Sequence, residues 1–442
     1  MNPANPPAET PLVVAADMGY GHLRAAMALA DALGTVVSQV DQPPLVAPGE
    51  AKVWARARSA YETVSRLSQV PLLGRPLRLL LDGLTDIPQL HPYRDLSAPT
   101  RGVVTLDRLI RHNLGQGMMA ELERTRAPLL TTFYSPGVAA DRAGYDRIFV
   151  VVTDSDINRI WAPLQPERTR IQYLVPSRQA ARRLMTYGVP EARITFTGFP
   201  LPGELLGGPG LPALKRSLAA RLVRLDPRGE FRRSIPEELA HFLGELPTGE
   251  EGRAPLLTFA VGGAGAQAGL AGLFLPSLRP LVEAGRLRVA LVAGLRAEVE
   301  AQFREALQRS GLEPALGQGV ELLRAPTFGE YYARFNELLS RTDVLWTKPS
   351  ELTFYAALGL PLVCAPPVGV HERHNRRWAR EAGAGFKQPP PSYAAEWLSD
   401  WLADGAFASA AWAGYMRLPK FGLYRILEAV AASRPAAPAA TP

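Results

Sequence analysis

The stretch IQYLVPSRQAARRLMTYGVPEARITFTG, residues 171–198, decides the fold. IQYLVPS (171–177) is an apolar run of strand length. RQAARRLMTYG (178–188) reads as a helix that Gly188 closes as a C-cap, and ITFTG (194–198) is a second strand. Upstream, PLVVAAD (11–17), APLLTTF (127–133) and RIFVVVTD (147–154) repeat the apolar strand, and HLRAAMALADAL (22–33) is an amphipathic helix after a Gly-rich turn. Continuous apolar strands alternating with helices make a parallel sheet covered on both faces. The pattern then restarts. APLLTFAVGG (254–263) is again a strand running into glycines, followed by RLRVALVAG (286–294), GVELLRAP (319–326), DVLWTKP (343–349) and LPLVCAPP (360–367). Two successive Rossmann-like units, an α/β class, are expected.

The domain reading is 11–205 for the first unit and 206–252 for a polar linker or helical insertion. The second unit takes 253–411, and a helix over 412–430, broken around Pro419, crosses back to the first. The Pro/Ala-rich ends, MNPANPPAET and ASRPAAPAATP, read as disordered. In 442 residues the single cysteine, Cys364, excludes an intrachain disulfide, and its apolar run marks it as a buried structural thiol. With no disulfide framework, no leader pattern and no apolar run of about 20 residues, a cytoplasmic protein is expected, peripheral at most to the inner face of a membrane. The net charge is +7, and residues 51–111 hold ten Lys and Arg against five Asp and Glu. That local excess suits an anionic surface or a phosphorylated substrate; the alternative is a set of solvated helix faces. No nucleic-acid partner is expected.

In open α/β sheets ligands sit where strand ends lead into helices. Five such loops carry candidate chemistry. In ADMGYGHLRAA (16–26), Gly19, Tyr20 and Gly21 form an acceptor or phosphate loop, and His22 stands at the helix start, where an imidazole can act as general base toward a hydroxyl. The alternative is a packing or capping histidine. In VVTDSDINRIW (151–161), Asp154 and Asp156 form a D-x-D. Such a pair binds a divalent metal in some transferases, but a cap plus a solvated carboxylate is the preferred reading, with Asp154 as the second candidate base. In FAVGGAGAQAGL (259–270), backbone N–H groups at Gly262, Gly263 and Gly265 can cradle phosphate; the Walker lysine is absent. In WTKPSELTFYAALGLPLV (346–363), Thr347, Ser350, Glu351 and Thr353 offer hydroxyls and a carboxylate suited to a ribose diol, or Ser350 and Thr353 simply cap a helix. In GVHERHN (369–375) the H-E-x-x-H zinc spacing fails, and Glu372 with Asn375, one turn apart, suits sugar hydroxyls.

In this order the loops resemble a group of glycosyltransferases. It comprises the enzymes that add N-acetylglucosamine to the peptidoglycan lipid precursor and the monogalactosyldiacylglycerol synthases. The likeness runs from residue 11 to 430 and rests on MGYGH, VVTDSDINRIW, the segment ending in GFP (198–200), VGGAG, TKPS followed by GLP, and GVHERHN. The resemblance implies the GT-B architecture, two Rossmann-like domains facing a cleft, with His22 near the acceptor. It also implies donor contacts at Gly262, Gly263, Gly265, Ser350, Glu351, Leu352, Thr353, Glu372 and Asn375, with Phe328 (in RAPTFGEYY) in the loop that holds the base. The TKPSELTFYAALGLP segment is shorter than the family's. The resemblance thus implies a divergent, metal-independent glycosyltransferase with no cofactor. It would move a sugar from a nucleoside diphosphate sugar, UDP-sugar favoured, to a hydroxyl acceptor, lipid or lipid-linked, at an anionic membrane surface. The alternatives are a nucleotide-sugar epimerase or hydrolase, or a nucleotide-sugar-binding interaction protein without turnover.

Overall fold

The computed structural model describes residues 10–47, 49–56, 86–263 and 265–433. The Pro/Ala-rich ends at 1–9 and 434–442, and residues 57–85 of the basic region, lie outside the described residues. The described chain divides into two compact units. One holds the residues up to 56, 86–201 and 419–433; the other holds 202–418.

The first unit runs β1 (Leu12–Ala15), α1 (Tyr20–Leu33), β2 (Val37–Gln39), α2 (Arg101–Arg111), α3 (Gln116–Thr125) and β3 (Leu129–Thr131), then α4 (Tyr134–Arg142), β4 (Ile148–Val151), β5 (Gln172–Val175), α5 (Arg178–Thr186) and β6 (Ile194–Phe196). Its sheet has the order β2-β1-β3-β4-β5-β6, with every pairing parallel. β4 is buried at all four positions, as a central parallel strand must be. α5 starts on Ser177, whose hydroxyl accepts from the Ala180 N–H at 2.9 Å, and ends before Gly188 at φ 90°, a conformation glycine supplies without strain.

The second unit opens with α6 (Gly203–Leu206), α7 (Pro212–Arg224) and α8 (Pro236–Leu243). It continues β7 (Leu256–Ala260), α9 (Leu270–Glu283), β8 (Arg288–Gly294), α10 (Ala297–Ser310), β9 (Val320–Arg324), α11 (Phe328–Arg341) and β10 (Val344–Thr347). A 3-10 segment over Glu351–Leu358 leads to β11 (Leu362–Cys364), α12 (Val370–Glu381), β12 (Gly385–Lys387), α13 (Ala394–Ala403) and α14 (Ala406–Arg417). This sheet has the order β12-β11-β10-β7-β8-β9, again all parallel, which is the 3-2-1-4-5-6 Rossmann order read from the other edge. The protein is therefore α/β with two Rossmann-like units. Phe259 packs against Phe274, Phe303 and Trp346 with ring centroids 5.1–6.0 Å apart, filling the core between β7 and its helices.

The polar stretch after residue 205 is helical and belongs to the second unit. The buried guanidinium of Arg221 in α7 donates to Thr342 O at 2.8 Å, Leu358 O at 3.0 Å and Gly359 O at 3.1 Å. Burial pulls its pKa down to about 10. The terminal helix breaks at Pro419 into α14 and α15 (Gly422–Ala432), and α15 belongs to the first unit. There a Cβ at Gly422 would lie 2.2 Å from the Phe199 carbonyl oxygen, so the chain end packs directly on the G-F-P turn. Cys364 is buried, and burial pushes its thiol up to about 12.

Candidate functional site

In each sheet the chain leaves one strand toward opposite edges, and the crevice beyond the carboxyl ends at that switch point is where open α/β sheets bind ligands. In the first unit the switch lies between β1 and β3; in the second, between β7 and β10.

After β1 the backbone turns through Gly19 at φ 122°, which caps α1 and excludes other residues. Tyr20 and Gly21 open the helix and His22 sits in its first turn. His22 Nδ1 lies 2.7 Å from the carbonyl oxygen of Thr132, just beyond β3. A carbonyl only accepts, so Nδ1 carries the proton and the basic lone pair is on Nε2. The Thr132 hydroxyl donates back to the His22 carbonyl at 2.8 Å, and Thr153 Oγ1 stands 3.2 Å from Nδ1. Phe133 meets the imidazole edge-on at 4.8 Å between centroids, with Trp161 at 6.3 Å. The ring is held in one tautomer and one plane, as a general base requires.

The two aspartates after β4 separate in role. Asp156 is fully buried, and its two carboxylate oxygens take the Arg183 fork at 2.8 and 2.9 Å, with Gln179 at 3.1 Å. Oδ1 also accepts from the Ile157 N–H at 2.9 Å, the local cap expected of one carboxylate. Asp156 is thus a structural group, and the D-x-D does not present two open carboxylates to a metal. Asp154 is half-buried and stays with His22 among the candidates. Among the described residues no cluster of three His, Cys, Asp or Glu is placed to hold a metal ion.

In the second unit the glycine loop spans Val261 to Gly269, and α9 begins only at Leu270. Gly262 and Gly263 follow the strand after Val261; Gly265 turns at φ 69°. The Gly265 N–H is already given to the Gly262 carbonyl at 2.8 Å, so the phosphate reading rests on the N–H groups of Gly262 and Gly263. A groove of about 460 Å³ lined by Gly265, Gln267, Leu273, Glu298 and Gln302 runs along it. A second groove, of about 360 Å³ and bordered by Arg228, Arg253 and Arg286, lies at the amino-terminal ends of β7 and β8, away from these loops.

Across the switch point, Thr347 is spent on structure: its hydroxyl donates to Ala260 O at 2.9 Å, stitching β10 to β7. Ser350, Glu351, Leu352 and Thr353 enter an eight-residue 3-10 segment. The helix-capping alternative for Ser350 and Thr353 fails. Ser350 makes no side-chain cap bond, and the buried Thr353 Oγ1 has no hydrogen-bond partner. Glu351 is itself buried. Glu372 and Asn375 are buried on the first turn and a half of α12. Phe328 opens α11, half-buried against Tyr331.

The residue that the motifs did not single out is Lys348. It is buried, its Nζ lies 2.6 Å from Glu372 Oε1, and Glu372 Oε2 accepts from the Val368 N–H at 2.6 Å. Burial pushes the Glu372 carboxyl up, but the Lys348 ammonium, His371 and the Val368 N–H outweigh it and hold it at about 2. A Cβ on Gly262 would lie 2.3 Å from Lys348 Cε, so the lysine crosses the loop where residue 262 carries no side chain. The signal was in DVLWTKP, where a lysine directly follows a buried strand and precedes a proline.

No family model matches the chain, and no curated protein matches it. Solved structures are similar in fold. The MnaA–UDP co-structure from S. aureus shares 14% identity over 94% of each chain, with a TM-score of 0.46. A UDP-GlcNAc 2-epimerase from Neisseria meningitidis bound to UDP-GlcNAc shares 11% over 95% of this chain and 99% of that one, at 0.48. MurG from Acinetobacter baumannii shares 14% over 95% and 98%, at 0.49. Among the described residues no helix is long and apolar enough to cross a membrane.

Proposed function

We propose that the second unit binds a nucleoside diphosphate sugar, UDP-sugar favoured, at the β7/β10 switch point, and that the chain is a glycosyltransferase of the GT-B type acting on a hydroxyl acceptor. The observation that carries this reading is the close approach, at that switch point, of Gly262 in the loop after β7 and the buried cation Lys348 at the end of β10. In glycosyl transfer, charge develops on the leaving diphosphate, and oriented N–H groups with a cation stabilise it without a metal. A single such donor is worth about 3–4 kcal/mol of barrier. His22, with its tautomer set by Thr132, supplies a base for the acceptor hydroxyl, and Asp154 is the second candidate. The acceptor is a lipid or lipid-linked alcohol at an anionic membrane surface, a reading supported by the basic excess at 51–111.

The test is a thermal-shift panel of UDP, GDP, TDP, CMP and UDP-sugars, with and without magnesium. A ligand at about 100 times its dissociation constant adds roughly 2.7 kcal/mol. A shift with the UDP series, unchanged by magnesium, is expected; no shift with any nucleotide sinks the reading. A nucleotide-sugar-binding protein without turnover is the second reading, favoured by the engagement of both Glu372 oxygens within the protein. Binding without product from any acceptor would select it.

A further inference from the structure

Glu372 closes a capping box at the start of α12, and its carboxylate takes donors of the kind that hold a bound oxyanion. One oxygen faces the Lys348 ammonium at 2.6 Å; the other takes the Val368 N–H at 2.6 Å and the Gly369 N–H at 3.5 Å, the two amides that lead into α12. A lysine plus successive backbone N–H groups is the donor set that proteins use for phosphate. Stability alone does not account for the pair, since a buried ion pair gains little over an apolar pair of equal volume. Its position does matter. Lys348 leaves the end of β10 and passes over Gly262, the first glycine of the loop after β7, so the ammonium stands at the switch point where the sheet takes ligands. Thr353 Oγ1, in the 3-10 segment entered from β10, is buried and without a hydrogen-bond partner.

We infer that Lys348 is a phosphate-binding residue and that Glu372 is its resident stand-in anion: a diphosphate entering on the Gly262 loop takes over the ammonium, and Glu372 keeps the Val368 N–H. The inference deepens the nucleotide-sugar reading by assigning the diphosphate its cation. Arriving phosphate competes with an internal carboxylate, so the carboxylate weakens binding and selects for polyanionic ligands over singly charged ones.

Titration calorimetry with UDP, uridine and inorganic pyrophosphate on wild type, Lys348→Met, Glu372→Gln and the double variant tests this. Wild type is expected to prefer UDP to uridine. Lys348→Met and the double variant should lose about 10- to 100-fold in UDP and pyrophosphate affinity with uridine unchanged, the size of a charge-assisted contact. Glu372→Gln should bind pyrophosphate several-fold more tightly. The double variant buries no unpaired charge, so it reports even if Lys348→Met fails to fold. An unchanged UDP-to-uridine ratio in the double variant overturns the assignment of Lys348. Weaker pyrophosphate binding by Glu372→Gln overturns the stand-in role. If wild type binds pyrophosphate through Lys348 but no nucleotide, the inference stands and the nucleotide-sugar reading falls; if it binds none of the three, both fall.

Discussion

At the scale of single residues, His22 shows how a candidate base is prepared. Its position was legible, because a GH after the first buried strand falls at a helix start. Its tautomer was not legible, because the Thr132 carbonyl that fixes it comes 110 residues later in the chain. Replacing His22 with Ala removes the Nε2 lone pair and the Nδ1 bond to the Thr132 carbonyl, and turnover is expected to fall about 10²- to 10⁴-fold with donor binding unchanged. A His22→Gln variant keeps a donor toward Thr132 but no base of useful strength, and should be as slow. If either variant turns over at the wild-type rate, His22 packs and orients, and Asp154 becomes the base to test. The two aspartates illustrate the opposite outcome. D-x-D reads as one motif, yet Asp156 is consumed by Arg183, which lies on the next helix and was visible in the sequence only as one of a run of arginines.

At the scale of elements, the apolar strands were legible, the edge strands β6 and β9 among them, and the edge strands β2 and β12 were not. β2 and β12 are three residues each and half-exposed or exposed, so neither carries the continuous apolar run that marked β4 or β10. The ion pair joining β10 to α12 was hidden for a similar reason: Lys348 and Glu372 sit in separate motifs, 24 residues apart. That pair gives a stability prediction with a definite sign. The Glu372 carboxyl is held at about 2 in the folded protein against an ordinary value of 4.5, so its contribution is complete above pH 4.5 and fades as the pH falls through about 2. The difference is worth about 3 kcal/mol at most. Urea unfolding of wild type and Glu372→Gln at pH 5.5, 4.5 and 3.5 should show wild type ahead at the upper two. Its advantage should then shrink by roughly 1 kcal/mol between pH 4.5 and 3.5. An advantage that stays constant down to pH 3.5 would mean that the carboxylate is not held by Lys348 in solution.

At the scale of the whole molecule, the restart of strand, glycines and helix at residue 254 was enough to give two units, because each sheet needs its own run of buried strands. Net charge of +7 carries the remaining expectation, a meeting with an anionic surface. Within the described part of the basic region, α2 is amphipathic. Val103 and Leu106 are buried, whereas Arg101 and Arg108 are exposed two turns apart on one face. Arg111 is partly neutralised by Asp107 at 3.0 Å. Near an anionic leaflet each uncompensated arginine contributes about 1 kcal/mol, and the attraction falls off within a Debye length of about 8 Å at physiological salt. Co-sedimentation with phosphatidylserine-containing vesicles is therefore expected at low salt and should disappear near 1 M, where the screening length is about 3 Å. Replacing Arg101 and Arg108 with Gln should weaken binding by about 10- to 30-fold. Replacing Arg216 and Arg228, exposed in the second unit, removes the same charge and serves as the control. If both pairs lower binding equally, the attraction is one of net charge alone and α2 has no part in it. If wild type ignores anionic vesicles even at low salt, the lipid acceptor is the wrong class, and an acceptor free in solution takes its place.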